Sequence, residues 1–267
     1  MISKSGQIAN SLRHCGDECY LDWSDRAAVA VRLDFSDYEA EVPRHQHEQG
    51  QLILALHGAV TCRTESGLWI VPPGCGVWIP GGVPHSNQVT SNARLSYLFV
   101  QPGAAALPQQ CCTLSVSPML REMILRLADI PVSHAADGHA DRLSRVLLDE
   151  LAQMPIQRLE LPVSNHPKIA AITAALTAQP GDRRTLVEWA AQVAMSERTL
   201  KRLMVQETGL TFGRWRRQLH LVIALRELAG GATVQRVSGD LGYESATAFI
   251  VMFKKALGTT PTRYFSN

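Results

Sequence analysis

Two stretches in the last hundred residues, WAAQVAMS (Trp189–Ser196) and VSGDLGYE (Val237–Glu244), repeat one pattern at an offset of 48 positions. In each stretch a short helical segment ends at a small residue, Ala194 or Gly242, and an apolar residue follows. A small residue lets two helices approach closely at a tight turn, and the apolar residue packs the second helix across the first. The repeat therefore predicts two helix-turn-helix units.

The sequence around this repeat predicts the helices of both units and a long helix between them. Thr185 with Glu188 three positions later is typical of a capping box, and Ser196 and Gly209 are of the types that begin and end a helix. The long helix, at 212–229, would span about 27 Å, comparable to the ~34 Å between successive major-groove faces of DNA. We expect the other helices of this region at 164–178, 197–208, 233–241, 245–257 and 261–265.

The two halves of the chain differ in charge. The 267 residues carry a net charge of only +2, and their 46% hydrophobic and 19% charged side chains exclude a disordered or collagen-like protein. Residues 1–163 contain 12 basic and 17 acidic side chains, whereas residues 164–267 contain 14 basic and 7 acidic ones. This segregation predicts two domains, of which the basic one meets nucleic acid or another polyanion.

The second helix of a helix-turn-helix enters the major groove and reads base edges with the exposed side chains of its first turns. In the first unit these side chains are strongly basic, and in the second they are small or apolar. They are Glu197, Arg198, Lys201 and Arg202 in the first unit, and Ala246, Thr247, Ile250 and Val251 in the second. Because arginine is the commonest reader of guanine, we expect the first unit to carry most base discrimination. The second would then position the domain through phosphates.

Further basic residues are candidate phosphate contacts. They are Arg214, Arg216 and Arg217 at the start of the long helix, and Lys254 and Lys255 in the second unit. The alternative is a helical protein-interaction domain whose basic face is merely solvated. The repeat, with its matched charge, favours DNA.

The stretches at 185–228 and 241–265 resemble the DNA-binding domain of the AraC/XylS family of transcription regulators. The ending LGYESATAFIVMFKKALGTTPTRYF carries the motif typical of that family. The resemblance implies a regulator that binds double-stranded promoter DNA, with RNA polymerase as a further candidate partner. With the charge pattern, it gives a set of candidate DNA contacts: Ser196, Arg198, Thr199, Lys201, Arg202, Arg214, Arg217, Ser245, Ala246, Thr247, Val251 and Lys254. The family often has polar or basic residues where this chain has Ala246 and Val251.

The first half of the chain alternates short apolar runs with turn residues. The runs lie at 28–35, 51–60, 67–74, 76–82 and 94–101, with a further strand candidate at 112–116. Breaks every 8 to 12 residues by Gly, Pro, Asn or Ser are typical of antiparallel strands that close a small sandwich or barrel. We therefore predict an α+β protein with an antiparallel β-barrel before its helical half.

Three histidines are the chemically distinctive residues of this barrel. His45, His47 and Gln51 share parity, so on one strand they would project to the same face, and His85 follows a later turn. The arrangement resembles the two cupin motifs, whose matching positions are His, His, Glu and His around a divalent metal, and Gln51 stands where the Glu would be. Three imidazoles suffice for Zn, Ni, Cu or Fe(II), but the missing carboxylate weakens attraction for the cation. The alternative is a polar pocket that binds a small organic effector.

Apolar residues recur at helical spacing after the barrel: Met119, Ile124, Leu127, Leu143, Val146, Leu147, Leu148 and Leu151. They predict a helical hairpin that is either a lid on the barrel or a dimer seam. In the family such a segment pairs subunits, so we expect a homodimer. The predicted domains are a cupin-like sensor barrel at 1–117, the hairpin at 118–154, a linker at 155–163 and the DNA-binding domain at 164–267.

No apolar run approaches the length of a membrane helix or a signal peptide, which predicts a cytoplasmic protein. The six cysteines lack zinc-module spacing, so we expect reduced, mostly buried thiols; His14, Cys15 and Cys19 are a weak metal candidate. The expected function is a DNA-binding regulator controlled by a metal or small molecule in the barrel. The alternative is a dioxygenase-like cupin metalloenzyme with an accessory DNA-binding domain.

Overall fold

The computed structural model describes residues 26–35, 40–71, 74–130, 138–157 and 159–266. The chain divides into two compact units, one from the described residues of 1–64 and 69–158, the other from 65–68 and 159–266. Antiparallel strands and a helical hairpin form the first unit, and helices dominate the second. This confirms the predicted fold class. The candidate His14, Cys15 and Cys19 lies outside the described residues.

The strands of the first unit form two antiparallel sheets. They are β1 (Ala28–Asp34), β2 (Ala40–His45), β3 (Gly50–His57), β4 (Val60–Thr64), β5 (Gly67–Val71), β6 (Cys75–Ile79), β7 (His85–Val89), β8 (Arg94–Val100), β9 (Cys112–Ser115) and β10 (Ile156–Gln157). One sheet has the order β1-β8-β3-β6-β9-β10, and the other contains β5-β4-β7-β2. The order brings distant sequence segments together, because β2 and β4 both pair with β7.

A buried apolar core lies between the inner faces of the two sheets. Val31, Ile53, Val60, Val77 and Tyr97 belong to one cluster that draws on strands of both sheets. Along each strand alternate side chains point into this cluster, as the period of two requires. The polar residues of the barrel therefore project into a largely apolar interior.

The apolar run at 51–60, read as one strand, is two strands in the structure. Gly58 has a φ of +66°, a conformation that glycine adopts without a Cβ penalty, and it begins the turn between β3 and β4. The run at 67–74 contains β5, and the runs at 76–82 and 94–101 contain most of β6 and β8. Strands β2 and β7 have no comparable apolar run, since they carry the polar residues of the histidine motifs.

The helical hairpin consists of α1 (Pro118–Ala128) and α2 (His139–Ala152). Its apolar stripe packs against the outer face of the first sheet, in a cluster that joins Ile124, Leu127 and Leu147 to Leu52 and Leu98. The stripe is therefore part of the core of its own chain, and its burial needs no second subunit. Met119 and Val146, also predicted for the stripe, are instead more than half exposed.

The second unit contains a two-residue strand and most of the helices of the described chain. They are β11 (Leu161–Pro162), α3 (Pro167–Ala178), α4 (Leu186–Gln192), α5 (Glu197–Thr208), α6 (Phe212–Ala229), α7 (Val234–Asp240), α8 (Ala246–Leu257) and α9 (Pro261–Tyr264). The capping box of Thr185 and Glu188 is present, which confirms that prediction. Ser196 caps α5, and Gly209 ends it in the left-handed conformation, as predicted.

Both helix-turn-helix turns place their small residue in the left-handed region. Ala194 has a φ of +51° and Gly242 a φ of +74°. The residue after each donates its backbone N–H across the turn, from Met195 to the carbonyl of Ala190 and from Tyr243 to that of Ser238, both at 2.9 Å. The repeat of sequence is therefore also a repeat of backbone conformation.

These turns predict opposite effects for two substitutions. Ala194→Gly should raise the free energy of unfolding by about 0.5–1 kcal/mol, because it removes left-handed strain at some entropic cost. Gly242→Ala should lower it by about 2–4 kcal/mol, because the new Cβ would be strained and would lie 2.7 Å from the carbonyl oxygen of Gly181. Urea denaturation followed by circular dichroism measures both. Equal effects of one sign would contradict the assigned backbone conformations.

No helix among the described residues is long and apolar enough to span a membrane. The four described cysteines, Cys62, Cys75, Cys111 and Cys112, are free thiols, and all except the half-buried Cys111 are buried. Burial raises the pKa of Cys75 to about 11. For these four residues, the expectation of mostly buried thiols is confirmed.

Candidate metal centre and nucleic-acid interface

The structure brings His45, His47, Gln51 and His85 together, but not on one strand. His45 ends β2, His47 lies in the turn at 46–49, Gln51 is the second residue of β3, and His85 begins β7. The parity argument was therefore wrong, since the chain bends between His47 and Gln51. Pairing of β2 with β7 places His45 opposite His85, and the turn at 46–49 carries His47 and leads to Gln51 on β3 of the other sheet.

The turn that carries His47 is held against the turn that precedes His85. The backbone N–H of Gly82 donates to the carbonyl of His47 at 2.8 Å. A Cβ on Gly81 would lie 1.9 Å from the carbonyl oxygen of Glu48, so only glycine permits this approach. The histidine motifs are thus joined through their backbones. The sequence analysis did not single out Gly81.

Each histidine ring is oriented by a hydrogen bond to a backbone carbonyl two residues away in the chain. The Nδ1 atoms lie 2.8 Å from the carbonyl oxygen of Pro43 for His45, 2.6 Å from that of Gln49 for His47, and 2.9 Å from that of Val83 for His85. A carbonyl only accepts, so each ring donates from Nδ1 and a neutral ring presents a lone pair at Nε2. Metal-bound histidines are oriented by the same kind of hydrogen bond.

The atoms that could hold an ion converge. One ring nitrogen from each of His45, His47 and His85 lies within 4.8 Å of the others, and this group contains no carboxylate or thiolate of the described chain. Nε2 of His47 lies 2.7 Å from Oε1 of Gln51. Two lone pairs at that distance repel each other unless a proton or a cation lies between them or the amide presents its NH₂ group. The donor set fits a divalent transition metal.

Burial distinguishes the members of the cluster. His85 is 1% and Gln51 2% exposed, and Nε2 of His85 is buried without a hydrogen-bond partner. Burial lowers the pKa of His85 to about 4, so its ring is neutral at pH 7, and burial also lowers the pKa of His45. Neutral imidazole is the form that binds metal. If His85 had only a structural role, its buried Nε2 would be expected to have a hydrogen-bond partner. The absence of one favours a role in binding.

The first recognition helix, α5, presents a basic surface. Arg198, Lys201 and Arg202 are exposed, and Lys201 pairs with Glu197 at 2.6 Å. Ser196 accepts from the backbone N–H of Thr199 at 3.2 Å, and their hydroxyl oxygens lie 2.8 Å apart. Those two residues therefore build the start of the helix, and the arginines are the side chains most available to bases.

The second recognition helix, α8, presents a less polar surface. Ser245 caps it by accepting from the N–H of Ala248, Ala246 is half-buried, and Thr247, Val251 and Lys254 are exposed. Val251 also lines a groove of about 490 Å³ between α6 and α8. Three cations lie in this groove: Arg214, Arg217 and Lys255. The groove therefore brings together three of the candidate phosphate contacts that the sequence predicts.

A polar junction joins the start of the first helix-turn-helix to the turn of the second. Arg183 donates to the carbonyl of Gly242 at 2.9 Å, and Arg216 donates to that of Arg184 at 3.0 Å. His220 lies 3.1 Å from the carbonyl oxygen of Pro180 and 3.2 Å from the Tyr243 hydroxyl. Arg216, a predicted phosphate candidate, is thus half-buried and engaged within the unit. Sequence reasoning missed this junction.

Comparison with known proteins identifies the family to which both domains are similar. Residues 29–157 match the AraC-like ligand binding domain, and residues 189–267 match a helix-turn-helix domain. The HTH-type transcriptional regulator NimR of Escherichia coli is 53% identical over 245 residues, which cover 92% of this chain and 90% of that protein.

Solved structures are similar at lower identity. The DNA-binding domain of AdpA in complex with a target DNA is 27% identical, with a TM-score of 0.34, over 36% of this chain and 86% of that one. ToxT from Vibrio cholerae is 7% identical, with a TM-score of 0.38, over 89% of this chain and 96% of that one. The family rests on the matched domains and on the similarity to NimR. The chain therefore belongs to the AraC family of transcriptional regulators, with a DNA-binding helix-turn-helix domain and an AraC-like ligand-binding domain.

Proposed function

We propose that this regulator binds a divalent transition-metal ion, Zn, Ni, Fe(II) or Cu, through His45, His47, His85 and Gln51, and that the ion controls its binding to promoter DNA. The observation that carries the proposal is the common orientation of the rings. Three backbone carbonyls occupy the Nδ1 atoms, which leaves the Nε2 atoms as the donors to an ion. One ring nitrogen of each histidine lies within 4.8 Å of the others, and Nε2 of His47 lies beside the amide oxygen of Gln51. A pocket that only lined an organic effector would not need all three rings oriented in this way.

The ion would act as an effector rather than a catalyst. It would favour one arrangement of the DNA-binding units over another, which is a shift between populations that already exist. We include a homodimer in the proposal, because a regulator of repeated half-sites needs two subunits. Its seam would use the exposed face of the hairpin, where Met119 and Val146 lie, since the buried stripe is occupied by the barrel.

Metal analysis tests the site. Protein purified without an affinity tag should contain about one divalent ion per chain, because folding preassembles the ligands. His45→Ala should lose the ion, whereas His57→Ala, a change at an exposed histidine on β3 outside the cluster, should keep it. A metal-free wild type that regulates normally would contradict the proposal.

For the DNA interface, we propose that Arg214, Arg217 and Lys254 contact phosphates. Arg217→Ala should reduce the slope of log affinity against log salt by about 0.9, with unchanged sequence preference, because one phosphate contact is lost. The matched control is Arg226→Ala on the same helix, where the arginine pairs with Glu227 at 2.9 Å. The slope is measured by fluorescence anisotropy with a labelled duplex. An unchanged slope for Arg217→Ala would remove it from the interface.

A further inference from the structure

The cluster that would hold the ion supplies no negative charge. Its donors are three imidazoles and one amide, all neutral when they bind a metal, and no carboxylate or thiolate of the described residues belongs to the group. A divalent ion there would keep its full charge of +2. Metal sites of the related cupin pattern carry a carboxylate where this chain has Gln51, so the difference concerns the charge of the site.

Burial makes that charge costly. Gln51 and His85 are almost fully buried, and the neighbours of Gln51 in the sheet, Ile79 and Phe99, are apolar and buried. The ring of Phe99 also lies 5.5 Å from that of His47. Buried charges in proteins are compensated by a partner of opposite sign. Among the described residues no such group belongs to this cluster, so we expect a bound ligand to supply the compensating charge.

The barrel also contains buried polar atoms without partners outside the histidine cluster. Asn87 follows His85 by two residues on β7, so both side chains point to the same face, and Asn87 lies opposite Cys62 of β4. Oδ1 of Asn87 is buried and has no hydrogen-bond partner. The same is true of Nε1 of Trp69 on β5, the strand on the other side of β4. Asn87 and Trp69 are each 3% exposed. The barrel therefore offers one unused acceptor on the same face as His85 and one unused donor on β5, both buried.

We propose that the metal ion in this cluster binds together with a small organic carboxylate, which coordinates the ion and supplies the charge that Gln51 does not. The inference rests on the proposed metal site and specifies the ligand class of that site. A carboxylate is favoured over an inorganic anion because its carbon body suits the apolar surroundings of Ile79 and Phe99. Trp69 and Asn87 are the groups that would bind polar atoms of the same molecule. The regulator would then sense the ion and the carboxylate jointly.

Acetate and Co²⁺ are the probes for this coupling. Affinity of the full-length wild type for Co²⁺ is measured by the visible spectrum of the bound ion, in buffers of equal ionic strength with acetate or with perchlorate. Acetate should raise the affinity roughly tenfold, within the usual range for coupled sites, and should change the spectrum. By linkage, Co²⁺ should raise the affinity for acetate by the same factor.

Gln51→Glu is the matched variant, because it puts the missing carboxylate into the chain at nearly constant shape. It should bind Co²⁺ more tightly than wild type in perchlorate, and acetate should then change its affinity less than about twofold. Wild-type protein that binds Co²⁺ equally well in both anions would overturn this inference and leave the metal site standing. Failure of wild type to bind Co²⁺ at all would overturn the proposed function and this inference together.

Discussion

Gly81→Ala should abolish binding of a divalent ion, although Gly81 offers no side chain to the ion. The added Cβ would lie 1.9 Å from the carbonyl oxygen of Glu48, an overlap that neither backbone can absorb in place. The turn at 46–49 must therefore move, and it carries His47 and its 2.8 Å hydrogen bond to Gly82. We expect metal affinity to fall by more than roughly 100-fold, the upper range for lost support of a ligand. Isothermal titration calorimetry with Zn²⁺ measures it.

Gly82→Ala is the matched control. Gly82 has a φ of +76°, so alanine is strained there, but a Cβ at this position meets nothing within 4 Å. This variant should lose about 1–2 kcal/mol of stability and keep most of its metal affinity. The control separates the steric overlap of Gly81→Ala from backbone strain in the same turn. A loss of metal in both variants would mean that strain in the turn alone disrupts the site. Thermal unfolding of each variant without metal shows how much of the effect is folding.

The double substitution Arg198→Ala with Arg202→Ala should remove most of the protein's preference for its own promoter sequence. Both arginines are exposed on α5, in the turns that a recognition helix directs at base edges. A good bidentate contact discriminates against the wrong base by about 1–3 kcal/mol, so the specific complex should weaken by about one to four orders of magnitude. Binding to an unrelated duplex should weaken much less. Competition between the two duplexes measures the ratio.

The second recognition helix provides the contrast. Lys254→Ala removes a charge from α8, which has few polar groups at its other exposed positions, and should weaken binding to both duplexes alike. If the double arginine variant also lost affinity uniformly across sequences, its arginines would be phosphate contacts. The assignment of base recognition to α5 would then be wrong. If Lys254→Ala instead lost its preference for the promoter duplex over the unrelated duplex, base recognition would have to be assigned to α8.

The helices of the second unit could be predicted closely because the signals that begin and end them are local. Ser196, Gly209 and the capping box at Thr185 act over three or four residues, and each has the predicted role. The left-handed conformation of Ala194 could not be predicted in this way. It follows from the geometry of the turn, which overrides the ordinary preference of alanine.

The histidine site could be predicted only in part. The residue types indicated the ligands, but the assumed strand through His47 does not exist, because the chain turns there to enter β3. The contact of Gly81 with Glu48 joins segments more than thirty residues apart, so no local pattern reveals it. The junction around His220 is of the same kind, with partners 23 and 40 positions away. Contacts of this sort depend on packing that a single sequence does not display.

The junction between the two helix-turn-helix units fixes the distance and the orientation between the two recognition helices. Arg183, His220 and the close approach of Gly181 to Gly242 leave little freedom for one recognition helix to rotate against the other. One inserted base pair displaces a half of the operator by about 3.4 Å and turns it by about a tenth of a revolution. Among the promoters of this regulator, the bases in the two contacted segments should therefore vary more readily than the number of base pairs between them. A genome search for its targets should keep that number constant and allow the base sequence to vary.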